Sequence, residues 1–400
     1  MRLSAPRLDR ITASPTLATR MLAQRLRAEG RDVLAVSSGE PDFDTPEYIK
    51  EAAIAAIRAG ATKYTDVAGT RALRQAVAGK FRRDYGIDYT EDEVLVSSGS
   101  KQAIFNALLA TMVEGDEAII PSPCWVSYPA IVELAGGTAV IVPCEPAGGY
   151  KLAPAQLEAK ITARTRWFIL NNPCNPTGAA YDADELRELG AVLLRHPEVN
   201  ILTDDIYDKL TYDGFPTATV VEAEPRLRPR TLTVNGCSKA YAMTGWRIGY
   251  AGGPRALISA MEKLQGHSTS NASSIGQAAA LAALTGPEES VTAMRETFSR
   301  RRDMVVALLN DAQGLLCHKP LGAFYVFPDI SACLGKATAG GAYLADDGAF
   351  VAALLAEEGV AVVPGSAFLA PGHFRLSFAA PQDMLKEACL RIQRFCGALS

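Results

Sequence analysis

The 400-residue chain has no two glycines separated by a single position, so the G-x-G-x-x-G turn that cradles a dinucleotide is absent. It also lacks a G-x-x-x-x-G-K-[ST] loop and a G-x-S-x-G elbow, which removes the common nucleoside triphosphate and serine hydrolase readings. Cysteine is scarce: there are eight, none at C-x-x-C spacing, which argues against a disulfide framework and for reduced thiols in a cytoplasmic compartment. The four histidines never pair at i, i+4, so a dedicated metal site is not expected. No excess of positive charge exists, with 40 Lys+Arg against 44 Asp+Glu, and neither nucleic acid nor a membrane surface is an expected partner. The longest uncharged run, 264–287, is full of Ser, Thr, Asn and Gly and cannot span a bilayer. The first ten residues carry three Arg and no apolar core, so they read as an exposed arm rather than a secretion signal.

What is present is alternation. Strand-like runs at 33–37, 93–97, 116–120, 138–142, 166–171, 199–203, 231–235 and 247–251 are interleaved with helical stretches at 46–58, 70–84, 100–112, 125–135 and 182–195. That order predicts an α/β fold with a mostly parallel sheet covered on both faces. Thr45 followed by Pro46 reads as N-cap and first helical residue, and Asp182 with Glu185 as a capping box. Beyond about 253 helices predominate, with short strands at 323–327, 360–363 and 374–378, which predicts a smaller α+β domain. The expected division is an arm and helix over 1–45 that join the small domain, a large domain over 46–290 and a small domain over 291–400.

Chemistry concentrates at strand ends. In 231–250, TLTVNGCSKAYAMTGWRIGY, Lys239 lies in an apolar stretch without acidic neighbours, and desolvation of such an amine frees it as a nucleophile toward aldehydes. Ser238 and Arg247 supply a hydroxyl and a planar fork suited to a phosphate. NNPCNPTG over 171–178 puts Asn175 in a turn at a carboxyl strand end, where open α/β sheets bind ligands. VNILTDDIYD over 199–208 leaves Asp204 poorly solvated and in need of a cation, with Tyr207 nearby. Gly99, Ser100 and Lys101 open a helix whose N-terminus suits an anion. Trp125 offers a face for a flat ring, and Arg375 in FRLSF is a half-buried strand cation that wants a carboxylate. Each taken singly has a structural explanation; together they fit pyridoxal phosphate, which needs a Schiff-base lysine and a carboxylate partner for its ring nitrogen.

The set SKAYAMTGWRIGY, NNPCNPTG, TDDIYD, GEPDFDTP, KYTDVAGTRALRQA and FRLSF resembles the fold-type I, class I aminotransferases, nearest to bacterial subgroup Ib aspartate aminotransferases, over residues 10–398. The resemblance implies Lys239 as the Schiff-base lysine, Asp204 on the pyridine nitrogen, Tyr207 and Asn175 on the ring hydroxyl and Trp125 stacked on the ring. It implies Gly99, Ser100, Lys101, Ser238 and Arg247 around the phosphate, and Gly39, Trp125, Asn175 and Arg375 on the amino acid, with Arg375 gripping the α-carboxylate. Tyr64 would reach the phosphate of a neighbouring subunit, which implies a homodimer with sites at its interface. The substrates implied are L-aspartate or another acidic amino acid and 2-oxoglutarate, with Lys101 matching a lysine that helps recognise an acidic side chain. The chain departs from close relatives at Ser100, where a second Gly is usual, and at Cys124, where an aromatic is usual. Thr12 stands where prephenate-using relatives place a Lys, which weighs against prephenate. The competing readings are broader or aromatic specificity, a β-lyase or decarboxylase on the same cofactor, and a ligand-sensing regulator domain. The last needs a DNA-binding segment for which the motifs, beginning within the first 40 residues, leave no room.

Overall fold

The computed structural model describes residues 3–13 and 15–400. The chain lays down β1 (Leu34–Ala35), β2 (Val94–Ser97), β3 (Glu117–Ser122), β4 (Thr138–Pro143), β5 (Thr165–Asn171), β6 (Asn200–Asp204), β7 (Thr231–Gly236) and β8 (Gly249–Gly252). All but β1 form one sheet in the order β2-β8-β7-β6-β5-β3-β4. Only β8 is antiparallel to its neighbours. The expected mostly parallel α/β architecture is therefore the observed one.

Its apolar runs explain it. Along β5, Trp167 and Ile169 enter one core cluster while Phe168 and Leu170 enter another; along β3, Ile120 and Ile119 divide in the same way. Successive side chains point to opposite faces of a sheet, so a strand buried on both faces must be apolar at every position. Helices Ser100–Thr111 and Ala183–Leu193 pack into these two clusters, the first through Ile104 and Leu108 and the second through Leu186 and Leu189. Asp182 caps the second, accepting from the Asp184 and Glu185 amides, as the capping box predicts.

Two expectations need correction. The run at 33–37 does not join the large sheet. Only Leu34–Ala35 is a strand, and it pairs in parallel with β10 (Val360–Ala361), after β9 (Tyr325–Val326) in the chain. Helix Glu47–Arg58 starts one residue late, with Pro46 rather than Thr45 at the cap position. The Thr45 hydroxyl is spent elsewhere: it donates to the Ala242 carbonyl at 2.7 Å and accepts from Trp246 Nε1 at 2.9 Å.

The remaining strands, β11 (Val363–Pro364) and β12 (Phe374–Ser377), lie with β9 in an antiparallel sheet of order β11-β12-β9. Its cluster, built on Phe298, Phe324, Phe350, Phe374 and Ile392, also takes in Ile206, Tyr207 and Leu210 from the turn after β6. That turn is therefore packed into the core of the smaller sheet. Among the described residues, no helix is long and apolar enough to cross a membrane.

Candidate active site

The carboxyl ends of β5, β6 and β7 meet the start of helix Ser100–Thr111 along one side of the sheet. The turn after β2 makes this possible. Gly99 has φ of +87°, a left-handed conformation that costs an L side chain. A Cβ there would lie 2.1 Å from Arg247 Nη2, so the backbone and the guanidinium can be adjacent only because the residue is glycine. Arg247 itself sits at φ 56°, strained for a non-glycine residue, and donates to the Thr244 carbonyl at 2.9 Å. Ser238, buried after β7, stands beside them. The Ser100 hydroxyl donates to the Asn235 carbonyl at 2.8 Å, so its proton is committed to the backbone.

Lys239 is partly buried and its Nζ donates to the Gly39 carbonyl at 2.6 Å. Burial, and then the positive charge of Arg375, push this amine down to about 8. Asp204, at the end of β6, is raised to about 6 by burial. Its Oδ2 accepts from the Tyr128 hydroxyl at 2.7 Å, while its Oδ1 is buried without a partner. A buried carboxylate oxygen in that state calls for an N–H donor from a ligand. The Asp204 carbonyl accepts from Asn171 Nδ2 at 2.7 Å, Asn171 Oδ1 accepts from the Asn175 amide at 2.8 Å, and Asn175 Oδ1 accepts from Arg375 Nη1 at 2.8 Å. Arg375 Nη2 donates to the Ser37 carbonyl at 2.8 Å, its Nε is unpartnered, and its guanidinium lies 4.4 Å from the Tyr325 ring centroid. Tyr207 and Tyr325 share a hydroxyl–hydroxyl bond of 2.9 Å. Lys101 Nζ is 4.8 Å from the Trp125 ring centroid, and burial and Arg247 lower its pKa.

Gly39, Ser100, Lys101, Trp125, Asn175, Asp204, Tyr207, Ser238, Lys239, Arg247 and Arg375 thus line one cleft of about 540 Å³, with Gly99 directly behind Arg247. Tyr64 is not among them; it is 90% exposed. Tyr128, Tyr325 and Asn171 also line the cleft and were not predicted. For Tyr128 a signal existed, since it lies one helical turn after Trp125 in W-V-S-Y. Tyr325 comes from β9, which no motif connects to the other residues.

A depressed lysine, an orphaned carboxylate oxygen deep in the sheet, a glycine–arginine anion cradle and a half-satisfied arginine fit a phosphorylated aromatic aldehyde and a carboxylate together. On this fold they define a pyridoxal phosphate-dependent enzyme. More narrowly, the chain belongs to the class I and II aminotransferase family, whose description matches residues 31–392. It is 56% identical over 393 residues to the aspartate/prephenate aminotransferase of Cereibacter sphaeroides, covering 98% of each chain. It is 50% identical over 396 residues to an aspartate aminotransferase of Rhizobium meliloti, covering 99% of this chain and 97% of that one. Among solved structures, the aspartate aminotransferase from Rhizobium meliloti superposes with a TM-score of 0.97 at 49% identity over 100% of both chains. The Thermus thermophilus aspartate aminotransferase with maleate gives 0.93 at 42% identity, covering 99% of this chain and 100% of that one.

Proposed function

We propose that this aminotransferase moves the amino group of L-aspartate to 2-oxoglutarate in two half-reactions, and that the cleft residues divide the work as follows. Pyridoxal phosphate, when bound, supplies the electron sink that makes the substrate Cα–H acidic. Gly99, Lys101, Ser238 and Arg247 hold its phosphate, aided by the N-terminus of helix Ser100–Thr111. Asp204 keeps a proton on the ring nitrogen, and the orphaned Oδ1 supports that role. Trp125 covers the ring face; Asn175 and Tyr207 hold the ring hydroxyl. Arg375 binds the substrate α-carboxylate and, through Asn175, keeps it in register with the ring. Lys239, neutral in a large fraction near pH 8, takes the proton from Cα and returns it. Gly39 closes the substrate side, its carbonyl holding the Lys239 amine.

The observation that carries this reading is the unbroken link from Asp204 through Asn171 and Asn175 to Arg375, with Lys239 in the same cleft. A donor panel with 2-oxoglutarate as acceptor tests it: aspartate should lead, and alanine or aromatic donors ranking above it would overturn the specificity. The name of the 56% identical relative favours prephenate as a second acceptor, against which Thr12 weighs; direct assay with prephenate decides. We also read residues 46–290 as the cofactor-binding domain, 291–400 with 1–45 as the smaller one, the compartment as cytoplasmic, and the active unit as a homodimer. Tyr64, 90% exposed, lies outside the cleft of its own chain, which is consistent with a residue lent to a neighbouring subunit.

A further inference from the structure

Tyr325 lines the cleft, and the reading above gives it no task. Its place follows from register. Ser377 pairs with Tyr325 across β12 and β9, and side chains along a strand repeat their face every second residue, so Tyr325 and Arg375 stand on the same face of the small sheet. Diagonal neighbours of this kind are within reach of an aromatic ring, and the Arg375 guanidinium lies 4.4 Å from the Tyr325 ring centroid. The ring is buried, and its hydroxyl meets that of Tyr207 at 2.9 Å. Gly39 makes room for it: a Cβ at position 39 would lie 2.8 Å from the Tyr325 hydroxyl oxygen, closer than van der Waals contact allows. Tyr207 is fixed by the same segment, edge-on to Phe324 at 5.4 Å and to Tyr325 at 5.9 Å between ring centroids.

Each phenol has one proton to donate. In a bond between two of them, one spends its proton and the other keeps its own for a third group. In the empty cleft either can be the donor. A ring oxygen beside Tyr207 needs the Tyr207 proton and leaves Tyr325 as the donor within the pair. The Arg375 cation favours that arrangement, because a positive charge at the face of a phenol stabilises its ionised form and makes it the better donor. Burial raises the Tyr325 pKa, and the Arg375 charge opposes the rise. We propose that Tyr325 is a positioning residue whose hydroxyl donates to Tyr207, so that the Tyr207 proton points to the ring hydroxyl of the bound cofactor. The assignment rests on the reading that Tyr207 meets that oxygen. A hydroxyl that accepts one hydrogen bond is a stronger donor in the next, so Tyr325 also strengthens the bond that Tyr207 makes.

The test uses the holoenzyme without substrate, the variants Tyr325→Phe and Tyr207→Phe, and the double variant. Phenylalanine keeps the ring against Arg375 and removes only the hydroxyl. The readout is the pH midpoint at which the visible absorbance of the bound cofactor changes. A weaker donor leaves more negative charge on the ring oxygen, and the bound cofactor then holds its titrating proton more tightly. Tyr325→Phe should therefore raise that proton affinity about two- to fivefold, and Tyr207→Phe should raise it further. Because Tyr325 acts through Tyr207, adding Tyr325→Phe to Tyr207→Phe should produce no additional rise. In steady-state assays Tyr325→Phe should lower kcat, while KM for aspartate, held by Arg375, stays within about twofold. An unchanged midpoint in Tyr325→Phe beside a raised one in Tyr207→Phe, or an equal rise in both backgrounds, overturns the assignment and leaves Tyr207 in its role. An unchanged midpoint in Tyr207→Phe overturns the Tyr207 reading and the assignment with it.

Discussion

The amine of Lys239 shows how a residue acquires its chemistry from position. Burial and the Arg375 charge both disfavour its protonated form, bringing its pKa to about 8 from 10.5. In the cofactor-free protein, its reaction with pyridoxal phosphate should therefore rise through about pH 8, because only the neutral amine attacks a carbaldehyde. Arg375→Leu removes a like charge, so the same curve should move to higher pH; stopped-flow absorbance of the yellow product checks both. Lys239→Ala should abolish turnover and still bind the cofactor. Tyr128→Phe deletes the donor to Asp204 Oδ2. That donor lowers the Asp204 pKa, so its loss raises it, and less of the carboxylate is ionised at a given pH. A fall in kcat of about three- to tenfold, with the acid limb of the pH–rate profile moving upward, is expected. A profile identical to the parent's would remove Tyr128 from the account.

At the scale of elements, the turn after β6 is held by charge as well as by packing. Lys80, fully buried in helix Arg71–Tyr85, donates to Asp208 Oδ2 at 2.6 Å and lies 3.1 Å from Asp84 Oδ2. Tyr85 donates to the same Asp208 oxygen. Lys80→Met leaves Asp208 with the Tyr85 hydroxyl but no cation, while Asp84 keeps Lys209 at 3.1 Å and Arg83 at 2.9 Å, and should cost about 3 kcal/mol in a urea melt. The Asp84 carboxyl is held below its ordinary value of 3.8. Lys80 and Lys209 both lower it, and a lowered carboxylate adds stability above the unfolded pKa that is lost as pH falls, so the parent should weaken on acidification below about 4 and the variant should lose the part that Lys80 supplies. Sequence periodicity revealed helix Arg71–Tyr85 and strand β6 separately. It carried no signal that Lys80 joins them, because the two residues are 128 positions apart. The opposite holds for Asp182 and Glu185, whose three-residue spacing is itself the contact.

For the whole molecule, the site draws on both ends of the chain. Ser37 and Gly39 come from the first tenth of it, Arg375 from the last, and β1 pairs with β10 to bring them together. A homodimer should sediment at twice 42.5 kDa. If Tyr64 serves the neighbouring site, mixing Tyr64→Ala with Lys239→Ala subunits should restore activity, since one of the two sites in each mixed dimer is then intact. Absence of recovery in dimers shown to exchange subunits would refute the shared-site arrangement.

Local pattern by itself determined the order of strands and helices, the large parallel sheet and the charged and amide residues at its strand ends, among them Asn175, Asp204, Lys239 and Arg375. Period-two burial, capping chemistry and strand-end turns are short-range constraints written in consecutive residues. The same short range explains where it misled: β1 has a strand's composition, yet its partner lies more than 300 residues away, at Val360–Ala361. Only the tertiary structure decided that the Ser100 hydroxyl turns to Asn235, that Tyr128 donates to Asp204 Oδ2, and that Arg20 faces Glu40 at 3.6 Å. Those are choices of hydrogen-bond partner between distant segments, and a partner exists only once packing has brought it within about 3 Å.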